Sequence, residues 1–183
     1  MNNCLILVDL QNDYFPGGNM ELVGIEKAAA NAQILLNKFR KTKRPIIHIQ
    51  HISVNPGSTF FLPETDGANI NRLVTPQEDE IVVVKNFPNS FRSTSLLEML
   101  KKEKVDNLVI CGAMSHMCID ATTRAAFDLG FNCRVAEDAC ATKDLIFKSR
   151  TIMASDVHAS FMAALSAPYA KVLSTKEIIE SMA

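Results

Sequence analysis

Three residues of the 183-residue chain stand where apolar segments stop, and each carries a group suited to chemistry. Asp9 follows Leu5-Ile6-Leu7-Val8, Lys85 follows Ile81-Val82-Val83-Val84, and Cys118 follows Gly112-Ala113-Met114-Ser115-His116-Met117. A carboxylate takes a proton, an ammonium holds a neighbouring anion ionised, and a thiolate attacks a carbonyl carbon. Together they would supply a nucleophile, a base and an orienting charge, the parts of a triad without a histidine. Each also has an ordinary structural explanation: an Asx turn for Asp9, a lysine reaching back to solvent for Lys85, a small packed hydrophobe for Cys118. Cys118 falls at or within the first turn of a predicted helix, where free amides and the positive dipole end favour a thiolate.

The elements that must position these groups are readable from periodicity. Short apolar runs at Cys4 to Val8, Ile46 to Ile49, Ile81 to Val84, Leu108 to Cys111, Cys133 to Ala136 and, more weakly, Ala170 to Leu173 read as strands. Between them lie segments of helical period: Ile25 to Lys43, a helix from the capping-box sequence Ser95-Leu96-Leu97-Glu98 to Lys104, and Met117 to Leu129, stopped by Gly130. Asp156 to Leu165 reads as a late helix, continuous with Lys148 to Ala154 in one reading, and Thr175 to Met182 as a terminal one. Alternation of this kind predicts an α/β fold, a mostly parallel six-stranded sheet covered by helices on both faces. In such sheets ligands bind outside the carboxyl ends of the strands. That rule collects Asp9, Gln50, His51, Lys85 and the segment Gly112 to Cys118 as candidates for one crevice. The stretch Ile52 to Pro76, with Pro56, Gly57, Pro63, Gly67 and Pro76, is the longest irregular one, and long loops carry function.

Composition narrows the classes. With 48% apolar and 21% charged residues the chain can bury a core, and residues 1–183 read as a single domain without repeats or low-complexity tracts. Nineteen Lys and Arg against 20 Asp and Glu give a net charge of -1, which leaves no electrostatic footprint for nucleic acid or an anionic membrane. No apolar run reaches the roughly 20 residues of a membrane helix, and Met1 to Asp9 reads as structure and not as a targeting leader. Five scattered cysteines fit reduced buried thiols and a cytoplasmic setting.

Four segments, in order, carry a resemblance. They are Val8-Asp9-Leu10-Gln11-Asn12-Asp13-Tyr14-Phe15, then Val84-Lys85-Asn86-Phe87-Pro88-Asn89-Ser90-Phe91 with Thr94, then Gly112 to Cys118, and Ala136-Glu137-Asp138-Ala139. Over roughly positions 4 to 175 the chain resembles the isochorismatase-like cysteine hydrolases. The resemblance implies a Rossmann-like three-layer α/β/α sandwich, a catalytic Asp9, Lys85 and Cys118, a non-proline cis peptide at Ala113-Met114, and an oxyanion hole made by the amides of Met114 and Cys118. It further implies a small-molecule substrate and a homo-oligomer, a dimer or larger, in which a neighbouring subunit helps to close the pocket.

Metal-using relatives of that family, the nicotinamidases, carry Asp-x-His after the second strand and a further His in the next loop. Here the matching stretch is Ile49-Gln50-His51-Ile52-Ser53, and the loop that follows offers only Glu64 and Asp66. No three-ligand zinc or iron site of that kind is supplied, so neither a metal nor any other cofactor is expected. Phe15, His51, Asn89 and Phe91 are candidates for contacting substrate, and His116 reads as a loop-packing residue. The favoured activity is C–N hydrolysis of a small amide, carbamoyl or ureido compound through a Cys118 thioester. A vinyl-ether hydrolase, a thiol redox or peroxide-sensing protein, and a binding module without turnover stand as the alternatives.

Overall fold

The computed structural model describes residues 2–182. Five strands each lead into a helix or loop and return in parallel: β1 (Asn3–Val8), β2 (Ile46–His51), β3 (Ile81–Lys85), β4 (Asn107–Ala113) and β5 (Asn132–Ala141). A later strand, β8 (Ala170–Leu173), completes a six-stranded sheet of order β3-β2-β1-β4-β5-β8. Every pairing in it is parallel, so the sheet is wholly and not mostly parallel.

The pleat of β1 shows how the core divides. Leu5 and Leu7 join one apolar cluster with Ala28, Ala32, Leu35, Leu36 and Phe39 of α1 (Ile25–Lys41) and Ile178 of α5 (Thr175–Glu180). Cys4, Ile6 and Val8 join another with Leu96 and Leu100 of α2 (Leu96–Lys102), Ala126 of α3 (Asp120–Asp128), and Met162 and Leu165 of α4 (Ala154–Leu165). Alternate residues feed opposite faces, which is why these strands are continuous apolar runs. The result is three layers, α/β/α. Among the described residues no helix is long and apolar enough to cross a membrane.

Several boundaries differ from expectation. The segment 148–153 is not helical. Leu145–Phe147 (β6) and Arg150–Ile152 (β7) form an antiparallel hairpin that turns at Lys148, whose φ is 55°. Its β-branched and aromatic residues suit a ribbon, and α4 starts only at Ala154, whose amide donates to Asp144 Oδ1 at 2.7 Å. Ser95 makes no capping box: Thr94 Oγ1 accepts from the Leu96 amide instead, whereas a true box closes at Ser174 and Glu177 ahead of α5. The segment expected as one helix from Met117 opens with a wide π-helical turn, Ser115–Ile119, before α3.

Chain order gives the sheet its functional end. From β1 the chain winds outward to β3, returns beside β1 as β4, and then winds the other way to β5 and β8. The reversal opens a crevice at the carboxyl ends of β1 and β4. Gly112 lets the two strands close there: it pairs with Val8, its φ is 124°, and a Cβ on it would overlap the Val8 carbonyl oxygen.

Candidate active site

Asp9 is the first residue beyond β1. Its φ of 51° turns the backbone out of the strand while its amide still bonds to Ile49 O at 3.0 Å, and Asp is among the few residues that tolerate this conformation. Lys85 closes β3 in register with His51 at the end of β2. Its side chain is fully buried and sets Nζ 2.9 Å from Asp9 Oδ2 and 3.0 Å from the Pro88 carbonyl oxygen. Cys118 is the fourth residue of the π-helical turn and is buried to 4% exposure. The three residues separated by 109 positions of sequence thus meet at one strand-end crevice, as the switch-point rule requires.

The electrostatics depart from the sequence expectation in one respect. Cys118 is not a thiolate held by a helix dipole: burial pushes its thiol well up from the ordinary range, Asp9 pushes further in the same direction, and Lys85 only partly opposes them. Burial thus favours the neutral thiol of Cys118 over its thiolate. Burial works to lower the ammonium of Lys85, but Asp9 and Cys118 outweigh it and raise the group, so the cation persists. Tyr14 is raised well above its usual value by burial and then by Asp9, Cys118 and Asp13, which keeps its phenol neutral at the same wall.

Of the four candidate substrate contacts, His51 stands beside Asp9 and Cys118. A ring nitrogen of His51, an Asp9 oxygen and the Cys118 sulfur all lie within 4.8 Å of one another. Burial lowers the His51 imidazole, Asp9 raises it and Lys85 lowers it, with a net fall that leaves it neutral at pH 7. Phe15 packs into the α1-side core with Leu10 and Tyr14. Asn89 spends its Oδ1 on the Phe91 amide at 2.9 Å, and the Phe91 ring stacks on Phe131 at 6.1 Å. His116 bonds through Nδ1 to Thr142 Oγ1 at 2.6 Å, a packing contact of the loop. The peptide between Ala113 and Met114 is cis.

Two positioning residues, Gln11 and His158, escaped the sequence reading, and Ser115 and Phe61 act beside them. Gln11, fully buried, accepts from the His51 amide at 2.7 Å and donates to the carbonyls of His51 and Ala68, both at 2.8 Å, so it fixes the end of β2 against the loop. Ser115 Oγ lies 3.3 Å from Ala141 O and 2.9 Å from His158 Nδ1, and His158 Nε2 is 3.8 Å from Glu137. Only the two-residue spacing from Asp9 to Gln11 was a signal; His158 on α4 gave none. Phe61 packs against both His51 and Tyr14, with ring centroids 5.9 and 4.6 Å away, and its amide donates to Asp13 Oδ2 at 2.6 Å. The loop 52–76 therefore lays an aromatic wall over the site.

A concavity of about 690 Å³ lies elsewhere, at the amino ends of β1 and β2, among Arg40, Arg44, Glu80 and Glu103. Asp9, Lys85 and Cys118 are not among its lining residues.

Comparison with known proteins agrees with this architecture. A model described as the isochorismatase domain matches residues 3–177. Isochorismatase family protein YddQ of Bacillus subtilis is 48% identical over 180 residues, covering 98% of this chain and all of that one. A solved structure from Oleispira antarctica, of the isochorismatase hydrolase group, superposes with a TM-score of 0.94 at 50% identity, covering 98% of this chain and 96% of that one. Streptothricin hydrolase of Streptomyces noursei is 31% identical over 144 residues, 77% of this chain and half of its own length. With the domain matched almost end to end, the chain belongs to the isochorismatase family of hydrolases.

Proposed function

We propose that the protein is a cysteine hydrolase that cleaves the C–N bond of a small amide, carbamoyl or ureido compound through a thioester on Cys118. The observation that carries the reading is the buried Asp9–Lys85 ion pair beside a buried thiol. A fully desolvated ion pair contributes little net stability, so a folding role alone does not account for it. Asp9 Oδ takes the proton from Cys118 Sγ as the sulfur attacks the carbonyl carbon. The negative charge passes to the carbonyl oxygen, where the amides of Met114 and Cys118 are the donors in this reading. As the tetrahedral species collapses, the C–N bond breaks and Asp9 returns the proton to the departing nitrogen. Water then attacks the thioester, Asp9 takes its proton, and the acid leaves as Cys118 regains a hydrogen.

Lys85 remains charged throughout and compensates whichever of Asp9 or the sulfur carries the negative charge. The near-neutral surface suits a small substrate with no need of long-range steering. A relative named streptothricin hydrolase supports a hydrolase reading. The test is ammonia or amine release from a panel of small amides, carbamoyl compounds and ureides, with Cys118→Ala as control. Turnover abolished by that substitution is the expected result. No turnover, with stable sulfenate at Cys118 after peroxide, would favour the redox alternative.

A further inference from the structure

Of Asp9, His51 and Cys118, two are enclosed by the fold and one is not. Asp9 is fully buried and Cys118 nearly so, whereas His51 is half-buried and is the member that solvent reaches. Gln11 accepts from the His51 amide and donates to its carbonyl, which pins the main chain and leaves the ring to turn on its own torsions. Burial lowers the imidazole, and a neutral ring keeps one nitrogen as an acceptor. In the mechanism above Asp9 makes every proton transfer, and this half-open acceptor beside it has no part.

The spacing gives it one. A ring nitrogen of His51, an Asp9 oxygen and the Cys118 sulfur are all within 4.8 Å of one another. For three atoms so placed, one point lies within about 2.8 Å of each, which is the length of a hydrogen bond to water. A water oxygen a little to one side of that point donates one O–H to the carboxylate and the other to the imidazole, while it faces the sulfur. Enclosed water is held by roughly two to four polar partners, and these two acceptors meet that need. We propose that His51, together with Asp9, holds the water that hydrolyses the Cys118 thioester, which makes it a catalytic residue of the second half of the reaction. The inference rests on the hydrolase reading given above.

Acylation removes the thiol proton, so the Asp9 oxygen that faced the sulfur is free to accept from water, while Lys85 stays 2.9 Å from Oδ2 and keeps the carboxylate charged. The water oxygen bonds to the acyl carbon, one of its O–H bonds breaks toward Asp9, and the other stays hydrogen-bonded to His51. The C–S bond then breaks, the acid departs with the hydroxyl that water supplied, and Asp9 returns the proton to the sulfur. His51 neither gains nor loses a proton. Because water enters only after the thioester has formed, loss of the His51 nitrogen slows the second step and leaves the first as it was.

The test acylates the full chain with 4-nitrophenyl acetate, following nitrophenolate release by absorbance and the acetyl group on Cys118 by mass spectrometry. The parent should take up the acetyl group and clear it, and Cys118→Ala should do neither. His51→Phe keeps a ring against Phe61 but has no nitrogen. It should release one nitrophenolate per chain in a burst and then hold the acetyl group about tenfold longer than the parent. Its kcat and KM should fall together, with kcat/KM unchanged to within about twofold. His51→Gln, which retains an acceptor, should clear the acetyl group at least about threefold faster than His51→Phe. The inference falls if His51→Phe clears as fast as the parent, or if its kcat/KM falls as far as its kcat. It falls equally if His51→Gln clears no faster than His51→Phe, which would assign the ring to packing. If Cys118 of the parent never takes the acetyl group, or never releases it, the hydrolase reading falls and the inference with it. If the parent acetylates and clears while His51→Phe matches it, the hydrolase reading survives alone.

Discussion

Lys85 and Asp9 are each other's reason for being buried. An ammonium and a carboxylate removed from water lose several kcal/mol of hydration apiece, which only the partner at 2.9 Å offsets. Lys85→Met should therefore cost about 3–5 kcal/mol in urea unfolding, through the uncompensated carboxylate, as well as abolishing turnover. The double variant with Asp9→Leu should regain most of that stability and none of the activity, which separates folding from chemistry. The same surroundings set the behaviour of the Cys118 thiol. Because burial and Asp9 push the Cys118 thiol up, its alkylation by iodoacetamide should be slow at mildly acidic pH and keep rising beyond pH 9. Lys85 is the one charge holding the thiol down, so Lys85→Met should slow alkylation further, as followed by mass spectrometry. A rate that levels off below pH 7 would mean an activated thiolate and would contradict this account. Single residues thus suggest a relay held ready, in which the carboxylate takes the proton only as substrate arrives.

Between elements, the contact that matters most is β1 against β4. Gly112 faces Val8 with a positive φ and no room for a side chain, so Gly112→Ala should lose about 3 kcal/mol or more and disturb the loop that carries Cys118. Gly130, with φ at 91° and open space around its Cβ direction, offers the comparison: Gly130→Ala should cost about 1 kcal/mol, from conformation alone. Thermal unfolding of the two variants reads the difference. The Met117 to Leu129 segment was legible as helical from its period, but its opening π-helical turn was not, since a wider turn leaves no mark in apolar spacing. The hairpin at 145–152 was misread for a related reason: strands of three residues are too short for either period to declare itself. The boundary of α4 was fixed instead by the Asp144 side chain, an acceptor for the Ala154 amide.

Across the whole molecule, one polar network ties α1 to the outer strands at the end away from the site. Glu80 accepts from Arg40 Nε at 2.7 Å and Nη2 at 2.8 Å, lies 2.9 Å from His48 Nε2, and accepts from the Gln77 amide at 3.0 Å. Burial works to raise this carboxyl, but the Arg40, Gln77 and His48 bonds win and hold it down to about 2. A carboxyl depressed on folding stabilises the native state above its unfolded value near 4.5, and the benefit is lost as pH falls from there to about 2. Glu80→Gln should cost about 2 kcal/mol at pH 7 and flatten the fall in stability between pH 4.5 and 2, as measured by denaturant midpoints. By itself the sequence determined the alternation of strands and helices, the α/β class, and the residues that end strands, Asp9, Lys85 and His51, because period and burial are properties of local order. It also marked Cys118 by its place after the fourth strand. Strand order was beyond its reach, because the same runs can pair in several orders, and only packing chooses one. The tertiary structure decided that β1 and β4 lie side by side, that Lys85 turns inward to Asp9 and not outward to water, and that His51 joins the sulfur. It also decided that burial pushes the Cys118 thiol up, since the cost of desolvation depends on which segments close over a group, and spacing along the sequence does not record that.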